Sequence, residues 1–135
     1  MMRVLFVCVE NSNRSQMAEA FARMYGSGVL ESASAGPHPA GSISQRAIAA
    51  MGELGYDLTT HRSKGLPEVD RAAWDYVITM GCGDACPNIA ASRRQNWELP
   101  DPTDLPDEEF RKVRDEIGRR VLELLEQVRA SAGWN

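Results

Sequence analysis

The stretch Val4-Leu5-Phe6-Val7-Cys8-Val9-Glu10-Asn11-Ser12-Asn13-Arg14-Ser15-Gln16-Met17-Ala18-Glu19 decides the fold. Its first four residues form a short apolar run, the signature of a buried strand. Residues 16–24 place Met17, Ala20, Phe21 and Met24 at the i, i+3, i+4, i+7 spacing of a helix. Between strand and helix stand a thiol, five residues and an arginine. Free backbone N–H groups at a helix N-terminus, with the positive end of its dipole, attract anions. The same field favours the thiolate of Cys8, the form that attacks. Arg14 can close such a cradle with two parallel donors to two oxygens of a tetrahedral anion. The bare spacing would arise by chance about 0.3 times in a chain of this composition. The strand before it, the helix after it and the hydroxyl of Ser15 are what make the reading specific.

Outward from this stretch, turn signals divide the chain into alternating strands and helices. The first helix is expected to stop at Gly26-Ser27-Gly28 with a left-handed glycine. Residues 29–35 read as a strand ended by Gly36-Pro37-His38-Pro39. Ser42 or Ser44 caps a helix with Ile43, Ala47, Ile48, Met51 and Leu54 inward, running to Gly55. Residues 74–80 read as the next buried strand, followed by Gly81-Cys82-Gly83-Asp84-Ala85-Cys86-Pro87. Residues 96–99 read as a last short strand before Pro100-Asp101-Pro102. The clearest periodicity is in the final helix, through Phe110, Val113, Ile117, Val121, Leu124 or Leu125, and Val128. Asp104 is expected as its N-cap. This alternation predicts an α/β fold, a single domain over residues 1–135 with a parallel sheet. Ligands of such sheets bind outside the C-terminal strand edge, where Cys8, the loop after Met80 and Asp101 would meet.

Composition narrows the function. The chain has 135 residues, 43% hydrophobic and 25% charged, enough for one core. A net charge of −4, with no basic face, argues against nucleic-acid binding. No apolar run approaches membrane-spanning length, so no membrane partner is expected. Met1-Met2-Arg3 leads straight into the first strand without a cleavage-site pattern, and three cysteines fit a reducing compartment, so a cytoplasmic location is expected. Zinc would need four ligands at usual spacing, and only His38 and His61 accompany the cysteines, so no metal is expected. Both histidines are expected to be exposed, and Trp74 and Trp97 to pack in the core or at its rim.

Residues 4–21 resemble the low-molecular-weight protein tyrosine phosphatase superfamily. The segment Asn11-Ser12-Asn13-Arg14-Ser15-Gln16-Met17-Ala18-Glu19 is more similar to its arsenate reductase branch, and residues 80–87 and 97–102 agree. The resemblance implies a three-layer domain, a four-stranded parallel sheet flanked by helices. It implies Cys8 as nucleophile, Arg14 as oxyanion clamp and the loop Val9, Glu10, Asn11, Ser12, Asn13, Arg14 and Ser15 as substrate-binding. It also implies Asp101 as general acid. Read alone, an aspartate between prolines is a turn former. A thiolate displacing oxygen from a tetrahedral centre nevertheless needs a proton for the leaving group, and a facing carboxylic acid supplies one. Asp104 and Asp84 are its rivals.

Cys82 and Cys86 separate the branches. A phosphatase hydrolyses its thiophosphate with water; a reductase must supply two electrons, and sulfur is the redox-capable group in this composition. In the scheme the resemblance implies, Cys8 attacks arsenate, Cys82 resolves the adduct, and Cys86 takes the disulfide from Cys82 for an external reductant. The four-residue spacing agrees, since one helical turn rises about 6 Å, within the reach of a disulfide. No cofactor is expected. The expected reductant is thioredoxin, with a low-molecular-weight thiol as the alternative. Some relatives hold potassium beside the loop through positions matching Asn11, Ser15 and Glu19; here Lys64 stands in place of a further acidic ligand and is expected to pair with Glu19. The sequence departs from the pattern at Asn13, where many thioredoxin-linked relatives have a second cysteine, and at Glu10, where glycine is frequent. The alternative activity is phosphomonoester hydrolysis, against which Asp101-Pro102-Thr103-Asp104 lacks the tyrosines that stack on an aryl phosphate.

Overall fold

A computed structural model describes residues 1–69, 73–81 and 89–131; Cys82, Asp84 and Cys86 lie outside the described residues. Four strands form one parallel sheet: β1 (Met2–Val7), β2 (Leu30–Ala35), β3 (Trp74–Thr79) and β4 (Ala91–Asn96), in the order β2-β1-β3-β4. The helices are α1 (Arg14–Tyr25), α2 (Gln45–Gly52) and α3 (Asp107–Ser131). Burial explains the strand compositions. The central strands β1 and β3 read MRVLFV and WDYVIT, whereas the edges β2 and β4 read LESASA and ASRRQN. A parallel strand covered on both faces needs apolar side chains throughout, while an edge is kept from pairing with other chains by polar and charged ones.

On one sheet face Val4, Phe6, Tyr76 and Ile78 join a core with residues of all three helices. On the other, Leu5, Val7 and Val77 pack with Leu66, Val69 and Ile89. Helix α1 is buried on all sides from Arg14 to Ala22, because it lies between the sheet and α3. Its polar residues are therefore enclosed and require partners. The far end of α2 is pinned to α3 by the buried Arg114, whose Nη1 donates to the Ala50 carbonyl (2.9 Å) and Glu53 Oε1 (2.6 Å). Among the described residues no helix is long and apolar enough to cross a membrane.

Several boundaries differ from the sequence expectation. The last strand is Ala91–Asn96, not residues 96–99. Its mostly exposed side chains carry no apolar alternation to read, whereas the apolar Trp97 and Leu99 are buried in the turn beyond it. Helix α1, by contrast, ends at Tyr25, just before Gly26-Ser27-Gly28, and Gly28 is the left-handed glycine expected there, at φ +84°. Helix α2 stops at Gly52, and Leu54 is exposed in the turn that Gly55 closes at φ +83°. Helix α3 starts at Asp107, so Asp104 is not its cap. Ser44, not Ser42, caps α2, accepting from the Ala47 amide at 3.3 Å.

The apolar series of α3 is buried as its spacing predicts, and both Leu124 and Leu125 face the core, while Leu122 is 47% exposed. Leu124→Ala is expected to cost about 2–5 kcal/mol in urea unfolding, and Leu122→Ala no more than about 0.5 kcal/mol. Equal losses would contradict this packing.

Candidate active site

The register aligns three strand ends, with Val7 opposite Thr79 and Thr79 opposite Asn96. Chain leaving β1, β3 and β4 therefore meets at one sheet edge. There Cys8, Val9, Glu10, Ser12, Asn13 and Arg14 line an open cleft of about 610 Å³, with Ser44, Gly81, Leu99, Asp101 and Thr103 opposite.

The loop between β1 and α1 is held from outside. Val9 O accepts from the His38 amide (2.9 Å), Glu10 O from the Ala40 amide (3.0 Å) and Ser63 Oγ (3.0 Å), and Ser12 O from the Ser44 amide (3.0 Å). Asn11 O accepts from Gln16 Nε2 (3.0 Å) and Asn13 O from the Met17 amide (3.0 Å). In a trans peptide the C=O and the following N–H point in opposite directions. With these carbonyls engaged away from the cleft, the peptide N–H groups of Glu10, Ser12, Asn13 and Arg14, which line it, turn toward it, whereas the wholly buried Asn11 lies against Gly36. Gly36 makes the fit possible: a Cβ there would lie 2.2 Å from Cys8 O and 2.5 Å from Val9 O.

Asn11 takes φ +48°, the one left-handed non-glycine among the described residues. Such a conformation costs about 1–3 kcal/mol and persists when its surroundings over-determine it. Here Asn11 Oδ1 accepts from Gln16 Nε2 (2.8 Å) and the Lys64 amide (2.8 Å), and Nδ2 donates to Ser15 Oγ (2.9 Å). Ser15 Oγ lies 2.8 Å from Cys8 Sγ. Since Ser15 Oγ already accepts from Asn11, its own proton is available to the sulfur and stabilises a thiolate. Cys8 is 3% exposed. Asn11 and Ser15 are wholly buried behind the loop rather than on its concave side.

Arg14 is also buried, and its Nη1 donates to the Leu99 carbonyl at 3.0 Å. It packs over Gly81, at φ +81°, where a Cβ would come within 2.4 Å of Nη1. Among the described residues its Nε and Nη2 have no hydrogen-bond partner, leaving two donors for an anion. Across the cleft, Asp101 Oδ1 accepts from the Thr103 amide (3.1 Å) and hydroxyl (2.6 Å). Burial pushes this carboxyl up, but the Thr103 hydrogen bonds and the Arg14 charge outweigh it and hold Asp101 below the usual carboxylate range.

Behind the loop a network unread in the sequence supports it. Gln16 Nε2 donates to Asn11 O, Asn11 Oδ1 and Arg62 O, so its Oε1 is the acceptor facing His61 Nδ1 at 2.9 Å. His61 therefore carries its proton on Nδ1, and Nε2 accepts from the Tyr56 hydroxyl at 2.5 Å. Its side chain is 2% exposed, contrary to the expected surface position, and burial pushes it down against the raising influence of Glu19. His38 is exposed as expected, and Trp74 and Trp97 are core. Gln16, Gly36, His61 and Ser63 carry no local signal, since their partners come from other segments of the chain.

Glu19, 3% exposed, receives Ser34 Oγ (2.6 Å) and Arg23 Nε (3.0 Å), with Lys64 Nζ at 3.9 Å. Burial pushes Lys64 down, and Glu19 opposes it. A cation beside Glu19 would face two cationic side chains, so these residues do not fit potassium. Among the described residues, no three His, Cys, Asp or Glu side chains group as metal ligands. Cys82 and Cys86, the expected resolving thiols, lie outside the described residues.

The chain is similar to known proteins over nearly its whole length. The glutaredoxin arsenate reductase of Synechocystis is 35% identical over 131 residues, covering 95% of this chain and 99% of that protein. A solved arsenate reductase in the phosphate-binding state superposes with a TM-score of 0.87 at 35% identity, covering 95% of this chain and 99% of its own. The thioredoxin-dependent arsenate reductase of Corynebacterium glutamicum superposes with a TM-score of 0.80 at 36% identity, over 97% of this chain and 63% of its own. The model of the low molecular weight phosphotyrosine protein phosphatases matches residues 3–132, and the chain belongs to that family.

Proposed function

We propose that this chain reduces arsenate to arsenite by a cysteine relay. The observation that carries the reading is the cleft itself: a thiol with a hydroxyl donor at 2.8 Å, beneath a ring of peptide N–H groups, with Arg14 and Asp101 on its walls. The similarity to proteins described as arsenate reductases selects the oxyanion.

Arsenate enters with its oxygens on the N–H groups of Glu10, Ser12, Asn13 and Arg14 and on Nε and Nη2 of Arg14. The Cys8 thiolate attacks arsenic; a sulfur–arsenic bond forms, and hydroxide leaves with a proton from Asp101 as water. Asp101 is ionised in the empty site, and the bound anion beside it raises its proton affinity, so the acid is loaded by the substrate. The Cys82 thiolate then attacks Cys8 Sγ. A disulfide forms, the electron pair of the sulfur–arsenic bond passes to arsenic, and As(V) departs as As(III). Cys86 attacks Cys82 in turn, frees Cys8 and leaves a Cys82–Cys86 bridge. An external dithiol reduces that bridge; thioredoxin is the reductant proposed, supported by the likeness to a thioredoxin-dependent enzyme, with glutaredoxin and a low-molecular-weight thiol as the alternative.

Phosphomonoester hydrolysis is the second reading, supported by the family as a whole and by a low molecular weight protein tyrosine phosphatase among the similar structures, with a TM-score of 0.79. No aromatic side chain lines the cleft among the described residues, which disfavours an aryl phosphate as main substrate.

Arsenate turnover coupled through thioredoxin and its reductase to NADPH loss tests the relay. Cys82→Ser is expected to abolish it while sparing hydrolysis of a small aryl phosphate; equal loss of both activities would sink the relay, and unimpaired turnover with glutathione and glutaredoxin alone would change the reductant. Replacing sodium by potassium at equal ionic strength is expected to leave kcat unchanged, because Lys64 and Arg23 already face Glu19. A several-fold rise would contradict that assignment.

A further inference from the structure

Arg46, in the first turn of α2, has no part in the cradle, yet its guanidinium is spent almost wholly on the loop that carries Asp101. Nη1 donates to the carbonyls of Thr103 (2.7 Å) and Pro102 (3.3 Å). Nη2 donates to the Leu105 carbonyl (2.5 Å) and to Asp107 Oδ1 (3.0 Å). The guanidinium carbon sits 4.6 Å from the centroid of the Phe110 ring. Two residues earlier, the Ser44 amide holds Ser12 O of the oxyanion loop, and Ser44 itself lines the cleft. One rigid helical turn therefore grips both walls of the site, the nucleophile loop through Ser44 and the acid loop through Arg46.

The grip has directional content. The loop turns back on itself through the Leu105 amide to Pro102 O (3.1 Å) and the Thr103 amide to Asp101 Oδ1 (3.1 Å). Three carbonyls, of residues 102, 103 and 105, converging on one planar fork set the orientation of that turn, and with it the direction of the Asp101 carboxyl. A lysine ammonium, a point donor on a flexible stem, cannot span the three. Exposed ion pairs contribute little by themselves, so the pair with Asp107 does not account for the arrangement.

We propose that Arg46 is a positioning residue for the chemical step, holding Asp101 over the cradle through the backbone carbonyls of residues 102, 103 and 105. The proposal rests on the reading of Asp101 as general acid.

The test is a double-mutant cycle on arsenate turnover by the full chain, coupled to NADPH loss through thioredoxin and its reductase. Asp101→Asn is expected to lower kcat about 100-fold or more, the usual contribution of a positioned acid. Arg46→Ala is expected to lower kcat about 10-fold to 100-fold, the effect of a displacement near 1 Å, with KM for arsenate within about twofold because ground-state binding is untouched. Arg46→Lys, which keeps the charge and the stem against Phe110, is expected to be slowed as well. Arg46→Ala on the Asp101→Asn background should add less than about twofold. A wild-type kcat in either Arg46 variant, or an equal drop on both backgrounds, overturns the proposal while leaving the acid assignment standing. A wild-type kcat in Asp101→Asn removes the acid assignment, and the proposal falls with it.

Discussion

The site depends on one constraint: the carbonyls of the loop between β1 and α1 must point away from the cleft. A short loop cannot satisfy its own backbone groups, and a buried carbonyl without a donor costs about as much as a lost hydrogen bond. The chain solves this with segments that follow β2. Amides of His38, Ala40 and Ser44 and the hydroxyl of Ser63 take the outward carbonyls. Planarity of the peptide then turns the N–H groups inward without any further device. The closeness of Gly36 to the Cys8 and Val9 carbonyls belongs to the same requirement, because the supporting strand end must approach backbone to backbone.

The second layer of support follows from the burial of α1. A helix enclosed by the sheet on one side and α3 on the other cannot leave Ser15, Gln16 and Glu19 in water. Each instead finds a fixed partner: Ser15 the sulfur of Cys8, Gln16 the backbone and side chain of Asn11, Glu19 the groups of Ser34 and Arg23. The left-handed Asn11 is held at the centre of this set, and the tautomer of His61 is settled by it. Polar groups that would be liabilities in an ordinary core become the frame that keeps the thiol in place. Helix α2 adds the third constraint, tying the loop after Cys8 and the Asp101 loop to one turn of helix.

Much of the fold was legible because burial leaves a periodic trace. The apolar runs of β1 and β3 and the three-four spacing of α3 could be read directly, and they account for the sheet centre and its largest helix. The edge strand β4 escapes such a reading because Ser92, Arg93 and Arg94 face solvent and carry no alternation. The end of α2 was overextended because Leu54 fits a helical spacing but falls in the following turn. In the cleft, the spacing of a thiol, five residues and an arginine between strand and helix marks Cys8 and Arg14, whereas Asp101, a turn former when read alone, is marked by the family resemblance. The burial of His61 is not legible, since a polar neighbourhood in sequence says nothing about Gln16, 45 positions away, whose side chain accepts from it.

By itself the sequence determined the alternation of strands and helices, the thiol and arginine framing one turn, and the presence of two further cysteines. These are local properties: hydrophobic period, turn chemistry and residue type are written within a few positions. Only the tertiary structure decided which way the loop peptides face, that Asn11 and Ser15 stand behind the cradle rather than in it, and that Arg46 grips the loop of Asp101. Those outcomes arise largely from hydrogen bonds between residues 29 to 59 positions apart, from the His38 amide on Val9 O to the Arg46 guanidinium on Leu105 O. Such pairings come into being only when the chain folds, which is why no reading along its length contains them.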